Sequence, residues 1–190
     1  MARILIIYGT TEGHTARIAQ ALAEACTGAG ARVEVAVGQR TALAPVGYDG
    51  VIVAASVHAG AYQAGVIDWL RLHREALQTI PAAFVSVCLG VLQKDPEVDH
   101  DLDAIRERFF IASGWHPEVT KVVAGALRYT HYGWLTRMLM RRIVAKAGGD
   151  TDTSRDYDYT DWTDLAQFGR TFAEGVMRRA ATTAAHREVA

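Results

Sequence analysis

Arg3-Ile4-Leu5-Ile6-Ile7-Tyr8-Gly9-Thr10-Thr11-Glu12-Gly13-His14-Thr15 is the stretch whose reading decides the fold. Its first half is a short apolar run without polar alternation, which reads as a strand buried on both faces. Its second half is a polar loop bearing glycine. From about Gly13 to Ala29, Ile18, Ala21, Leu22 and Ala25 recur at three- and four-residue spacing, and Gly28 and Gly30 then supply a stop. A buried strand therefore runs straight into a helix N-terminus, where unpaired N–H groups and the helix dipole favour an anion.

The same alternation continues along the chain. Strands are expected at Val33 to Val37, Gly50 to Ser56, Ala82 to Val87 and Val119 to Leu127. Between them, Ala64 to about Ala76 reads as a helix carrying Val66, Ile67, Leu70 and Leu72, and Asp99 to Ser113 as another with Leu102, Ile105 and Phe109 inward. The last helix runs from near Thr163 to Arg179, with Thr160 or Asp161 as N-cap and Leu165, Phe168, Phe172 and Val176 on its buried face. Strands separated by helices imply right-handed crossovers and a parallel sheet covered on both sides, an α/β sandwich of five strands. In such sheets ligands bind beyond the carboxyl ends of the strands, at the switch in strand order. Residues 1–180 are expected to form one domain, with an insertion at about 128–158 and a frayed tail at 181–190.

Composition narrows the function classes. Of 190 residues, 50% are hydrophobic and 22% charged, and the net charge is -1, which fits an ordinary globular domain and gives no support to a nucleic-acid binder. Cys26 and Cys88 form no C-x-x-C pair, so neither a redox dithiol nor a zinc site is expected, and reduced thiols fit a cytoplasmic protein. The seven His residues show no metal spacing, so no metal is expected. The apolar run after Arg3 is too short for a signal or a membrane span, and the mature chain is expected to start here.

The loop after the first strand has no Lys or Arg. A P-loop would need G-K-[ST], and G-x-G-x-x-G is absent too, so a monophosphate held by neutral donors fits better. Thr10, Thr11 and Thr15 can add hydroxyl hydrogen bonds, and Gly13 lets the backbone approach the ligand without a Cβ in the way. The competing reading is an N-cap turn rich in Thr.

Tyr8-Gly9-Thr10-Thr11-Glu12-Gly13-His14-Thr15 resembles the FMN phosphate loop of flavodoxins, of the form Thr/Ser-x-Thr-Gly-x-Thr. Glu12 stands where Thr is usual, and a carboxylate beside a phosphate is repulsive unless it turns to solvent. A wider resemblance covers almost the whole chain: it is similar to the flavodoxin-type, menaquinone-dependent protoporphyrinogen IX dehydrogenases. The matching segments are Ala54-Ala55-Ser56 to Tyr62, Gly125-Ala126-Leu127-Arg128-Tyr129, Gly148-Gly149-Asp150-Thr151-Asp152-Thr153 and Tyr159-Thr160-Asp161-Trp162. That family also tends to carry an acid at the place of Glu12, while Thr130, His131 and Gly133 depart from it, where a Pro and more basic residues are expected.

The resemblance implies a flavodoxin-like three-layer sandwich, strand order 2-1-3-4-5, with FMN as cofactor. Thr10, Thr11, Glu12, Gly13, His14 and Thr15 would then surround the phosphate. Ser56, Val57, His58, Ala59, Gly60 and Tyr62 would border the isoalloxazine, with His58 or Tyr62 stacking on it, and Cys88, Leu89 and Gly90 would lie beside the same ring. For each such side chain, packing in a turn or in the core is the bland alternative. Because the flavin carries hydride chemistry itself, no catalytic triad is expected and no single residue is assigned as the chemical actor.

Charge is segregated around the insertion. Residues 119–149 hold Lys121, Arg128, Arg137, Arg141, Arg142 and Lys146 with no acid, whereas residues 150–164 hold six Asp against Arg155. Tyr132 to Ala147 is expected to be a helix with Leu139, Met140, Ile143 and Val144 on an apolar arc and Trp134 and Met138 between basic residues. Such a helix can lie on an anionic membrane surface, or pack on its own domain or on a partner copy. The resemblance implies a membrane quinone, menaquinone, as acceptor and protoporphyrinogen IX as substrate, in haem synthesis at the cytoplasmic face of the membrane. Arg128, Tyr129, His131, Trp134, Arg137, Arg141 and Arg142 are then the expected substrate or membrane contacts. A general quinone or NAD(P)H oxidoreductase and a non-catalytic electron carrier remain as alternatives, the last disfavoured by the basic insertion because carriers of that kind tend to be strongly acidic. The oligomeric state stays open, a homo-oligomer included.

Overall fold

The computed structural model describes residues 1–39, 41–127 and 152–189. Five parallel strands form one sheet: β1 (Arg3–Gly9), β2 (Arg32–Val37), β3 (Gly50–Ser56), β4 (Ala82–Val87) and β5 (Val119–Val123), in the order β2-β1-β3-β4-β5. The helices between them are α1 (His14–Gly28), α2 (Ala64–Leu77) and α3 (Pro96–Ser113), and α4 (Trp162–Val189) follows the insertion. This is the expected flavodoxin-like topology, with its switch where β1 pairs with β2 on one side and β3 on the other.

The alternation of side chains along β1 builds both layers. Ile4 and Ile6 join the core shared with Ile18 and Leu22 of α1 and Leu165 and Val176 of α4. Leu5 and Ile7 join the opposite core, with Val66, Trp69 and Leu70 of α2 and Phe109 and Phe110 of α3. All four β1 side chains are fully buried, each contributing roughly 1.5–3 kcal/mol relative to exposure. A strand buried on both faces cannot show polar alternation, which is why its sequence reads as one apolar run.

Several boundaries differ from expectation. Leu72 of α2 is 77% exposed, and Trp69 takes the inward place instead, its indole N–H donating to the Leu43 carbonyl at 2.9 Å. Helix α3 starts three residues earlier than read, at Pro96, because Asp95 caps it by accepting from the Glu97 N–H at 2.9 Å. Helix α4 continues to Val189 rather than ending near Arg179; Ala180 and Ala181, strong helix formers, carry it past that point.

The fifth strand is not continuous to Leu127. It ends at Val123, and Ala126–Leu127 forms a separate strand, β6, paired antiparallel with β7 (Tyr157–Asp158). Gly125 marks the departure: its backbone passes close to Val87, and its carbonyl accepts from the Tyr159 N–H at 3.2 Å. The outgoing and returning limbs of the insertion are thus clamped together at its neck, over a small cluster in which fully buried Leu127 meets Leu89, Tyr157 and Tyr159. The insertion helix expected at Tyr132 to Ala147 lies outside the described residues.

Candidate functional site

The sheet registers align the carboxyl ends of three strands: Gly9 of β1 pairs with Ala55 of β3, and Ser56 of β3 with Val87 of β4. The loops that leave these ends enclose a cleft of about 480 Å³, within the roughly 300–1,000 Å³ usual for small-molecule sites. Thr10, Thr11, Glu12, His14 and Thr15 line one side, Ser56, Val57, His58 and Ala59 another, and Cys88, Leu89 and Gly90 a third. Three loops far apart in the sequence meet at one place.

The first loop is shaped for close approach. Gly13 sits at the N-cap of α1 with φ +84°, a left-handed conformation, and a side chain there would meet open space. Its N–H donates to Thr10 Oγ1 at 2.9 Å, so the Thr10 hydroxyl keeps its own proton to donate. Thr15, in the first turn of α1, is buried, and Thr11 is exposed at the rim. Hydroxyls and a helix N-terminus without a cationic side chain offer neutral donors to an anion, against which the Glu12 carboxylate would act. Glu12 also borders the cleft and is half-buried rather than turned fully to solvent.

His14 is 6% exposed and engaged at depth. Its Nε2 lies 2.8 Å from Thr160 Oγ1, and that hydroxyl donates to the Ala124 carbonyl at 2.8 Å. The Thr160 oxygen must therefore accept from His14, which puts the proton on Nε2. Asp158 accepts from the Thr160 N–H at 3.1 Å and from Arg17 at 3.2 Å, and the Arg17 guanidinium lies over the Trp162 ring. The start of α1 is thereby tied to the neck of the insertion and the start of α4. Asp161, not Thr160, caps α4, accepting from the Asp164 N–H at 2.9 Å.

The second loop turns back sharply. His58 and Ala61 exchange backbone hydrogen bonds across Ala59 (φ +49°) and Gly60 (φ +76°), a tight turn with both central residues left-handed. Ala59 holds this conformation at some steric cost, a strain of the kind that gathers at ligand sites. His58 stays exposed at the rim, and Gly60 lies at the turn tip outside the cleft lining.

Tyr62 corrects the sequence reading. It is buried in the core against Phe84 and Phe109, with its hydroxyl 2.7 Å from Ser86 Oγ, and does not line the cleft. Burial pushes its phenol up to about 12. Cys88 does border the cleft but is itself buried, which raises its thiol above the ordinary value. Arg128, Tyr129, His131, Trp134, Arg137, Arg141 and Arg142 lie outside the described residues. Among the described residues no group of His, Cys, Asp and Glu is placed to hold a metal, and no helix is long and apolar enough to cross a membrane.

Val87, Leu102, Gly125 and Ala126 also line the cleft, though the sequence singled out none of them as site residues. Val87 and Leu102 read as core positions by periodicity. Gly125 and Ala126 lay in view, since the end of the fifth strand is where the topology directs a ligand.

A flavodoxin domain model matches residues 5–154. The Escherichia coli (strain K12) protein named protoporphyrinogen IX dehydrogenase (quinone) is 34% identical over 172 residues, 90% of this chain and 94% of that one. The chain belongs to the flavodoxin-type protoporphyrinogen IX dehydrogenase family. A Leishmania major member of the same name is 32% identical over 175 residues, covering 90% of this chain and 74% of its own length. The family's fold is shared by oxidised flavodoxin 1 from Bacillus cereus, which superposes with a TM-score of 0.51 at 16% identity over 91% of this chain and 98% of its own. Membership makes this chain a flavodoxin-like oxidoreductase domain that binds flavin.

Proposed function

We propose that the protein oxidises protoporphyrinogen IX to protoporphyrin IX with a quinone as electron acceptor, using FMN held in the cleft between the β1, β3 and β4 loops. The observation that carries this reading is the cleft itself. Its neutral donor set, Thr10, Thr11 and Thr15 at the start of α1, fits a monophosphate, and its volume and the strand-end position fit a flavin. The names of the relatives at 34% and 32% identity supply the substrate and the acceptor.

The chemistry supplied by bound FMN is two-electron: hydride equivalents leave the porphyrinogen in successive steps, and the electron pairs pass on to the quinone. The chain's own part is to bind and orient. Thr10 and Thr15 would hold the phosphate, the backbone of the turn from His58 to Ala61 would face the ring's polar edge, and Cys88, Leu89 and Gly90 would wall off the ring from water. The basic insertion, with Arg128, Arg137 and Arg141, would meet the propionates or anionic lipid by charge type, at the cytoplasmic face of a membrane carrying menaquinone.

Anaerobic mixing of the flavin-loaded protein with protoporphyrinogen IX is expected to bleach the flavin absorbance, and a quinone analogue to restore it. Failure of the porphyrinogen to bleach the flavin would sink this reading. Fast reduction by NAD(P)H in its place would make the protein a general oxidoreductase.

A further inference from the structure

Gln63 precedes the first turn of α2 and reaches back over the end of the sheet. Its Nε2 lies 3.2 Å from Thr11 Oγ1, 3.1 Å from the Ser56 carbonyl and 3.0 Å from Ser56 Oγ. The Ser56 carbonyl can only accept, so the amide NH2 faces that side and the orientation of the side chain is settled. The consequence is that Oε1 is buried with no hydrogen-bond partner. It packs over Gly9, where a Cβ would come within 2.7 Å of it. A buried acceptor left unsatisfied needs a reason, and the other end of the same amide supplies one.

Thr11 and Ser56 lie on two different walls of the cleft. The amide has two protons: one is directed at Thr11 Oγ1, and the other is shared between the Ser56 carbonyl and Oγ, which anchors the side chain. A hydroxyl that accepts a full hydrogen bond has its own proton free to give, and among the described residues the Thr11 hydroxyl has no protein acceptor for it. We propose that Gln63, anchored on Ser56, is a positioning residue that turns the Thr11 hydroxyl into a donor toward the cleft, so that the site discriminates in favour of a phosphate-bearing flavin over the same flavin without phosphate. The proposal rests on the flavin reading above. It assigns to an uncharged side chain a selectivity that the loop, lacking Lys and Arg, does not obtain from charge.

The test is a titration of the flavin-free full chain with FMN and with riboflavin, followed by quenching of flavin fluorescence, for wild type, Gln63→Met and Gln63→Glu. Gln63→Met keeps the length and loses the donor. It is expected to weaken FMN about tenfold, the loss of a hydrogen bond to a charged group, and riboflavin by less than about threefold. Gln63→Glu should weaken FMN further, because its carboxylate would draw the Thr11 hydroxyl proton to itself and repel the phosphate, again with riboflavin little changed. In a Thr11→Val background, Gln63→Met should add little to the loss of FMN-over-riboflavin preference.

Equal weakening of both flavins would assign Gln63 a merely structural role and overturn the proposal. So would an unchanged FMN affinity, or a wild-type protein that binds the two flavins equally well. A wild type that binds neither flavin would remove the flavin reading itself.

Discussion

The Tyr62 hydroxyl, 2.7 Å from Ser86 Oγ inside the aromatic core, shows how one side chain's role turns on burial. Tyr62→Phe leaves the ring packing intact and removes one partner of a buried pair, since Ser86 is 2% exposed. The expected cost is about 1–2 kcal/mol in urea denaturation, with the visible spectrum of bound flavin unchanged. A spectral shift would place Tyr62 against the ring after all. No feature of the sequence separates this Tyr from a stacking one. It stands beside residues that do line the cleft, and only its neighbours Phe84 and Phe109 decide its direction.

At the scale of elements, hydrogen bonds tie α1 down at both ends, beyond its apolar packing. On its inner face Cys26, fully buried, donates from Sγ to the Gly169 carbonyl of α4 at 3.3 Å. Gly169 permits this approach, since a Cβ there would come 3.0 Å from that of Ala25. Burial raises the Cys26 thiol from 9.0 to about 12. Between those values the unfolded chain has lost a proton that the folded one keeps, so stability is full below about pH 9 and falls as pH rises toward 12. The slope reaches at most about 1.4 kcal/mol per pH unit. Denaturation under reducing conditions should show this alkaline decline, and Cys26→Ala should flatten it while lowering stability at neutral pH.

At its N-terminus α1 is joined to the neck of the insertion by the chain His14 Nε2 to Thr160 Oγ1 to the Ala124 carbonyl. Thr160→Val keeps the shape and strands two buried polar groups, at an expected cost of about 2–4 kcal/mol. Because His14 borders the cleft, flavin affinity should fall with it. Hydrogen exchange should quicken at the Thr160 and Tyr159 amides, and unchanged exchange there would show that the neck is held by other contacts. The periodicity of α1 and the N-cap candidates Thr160 and Asp161 were legible in the sequence. Their division of labour was not, because a hydroxyl's partner 146 positions away leaves no local pattern.

For the whole molecule the informative quantity is how charge is distributed rather than its total. The net charge of -1 includes a segment of six basic residues with no acid at 119–149, beginning at β5 and passing through the neck beside the cleft. Replacing Arg137, Arg141 and Arg142 with Gln should weaken co-sedimentation with vesicles rich in anionic phospholipid, by about 1 kcal/mol per charge at low salt. Wild-type binding should fall as salt rises. Unchanged vesicle binding by the triple variant would leave the segment as a packing element within the domain or between copies.

By itself the sequence determined the layered α/β architecture and the strand ends whose loops meet, while the strand order that places the switch came with the family resemblance. Apolar runs of strand length and helical periods are local signals, and chain connectivity restricts how parallel strands can be joined. It also placed most of the cleft lining, since the strand ends follow from the strands. Tertiary structure alone decided that Tyr62 belongs to the core, that the fifth strand breaks at Gly125 to clamp the insertion's neck, and that Gln63 reaches across to Thr11 and Ser56. Each of these depends on which distant groups come within hydrogen-bonding or packing range, and no local pattern records that.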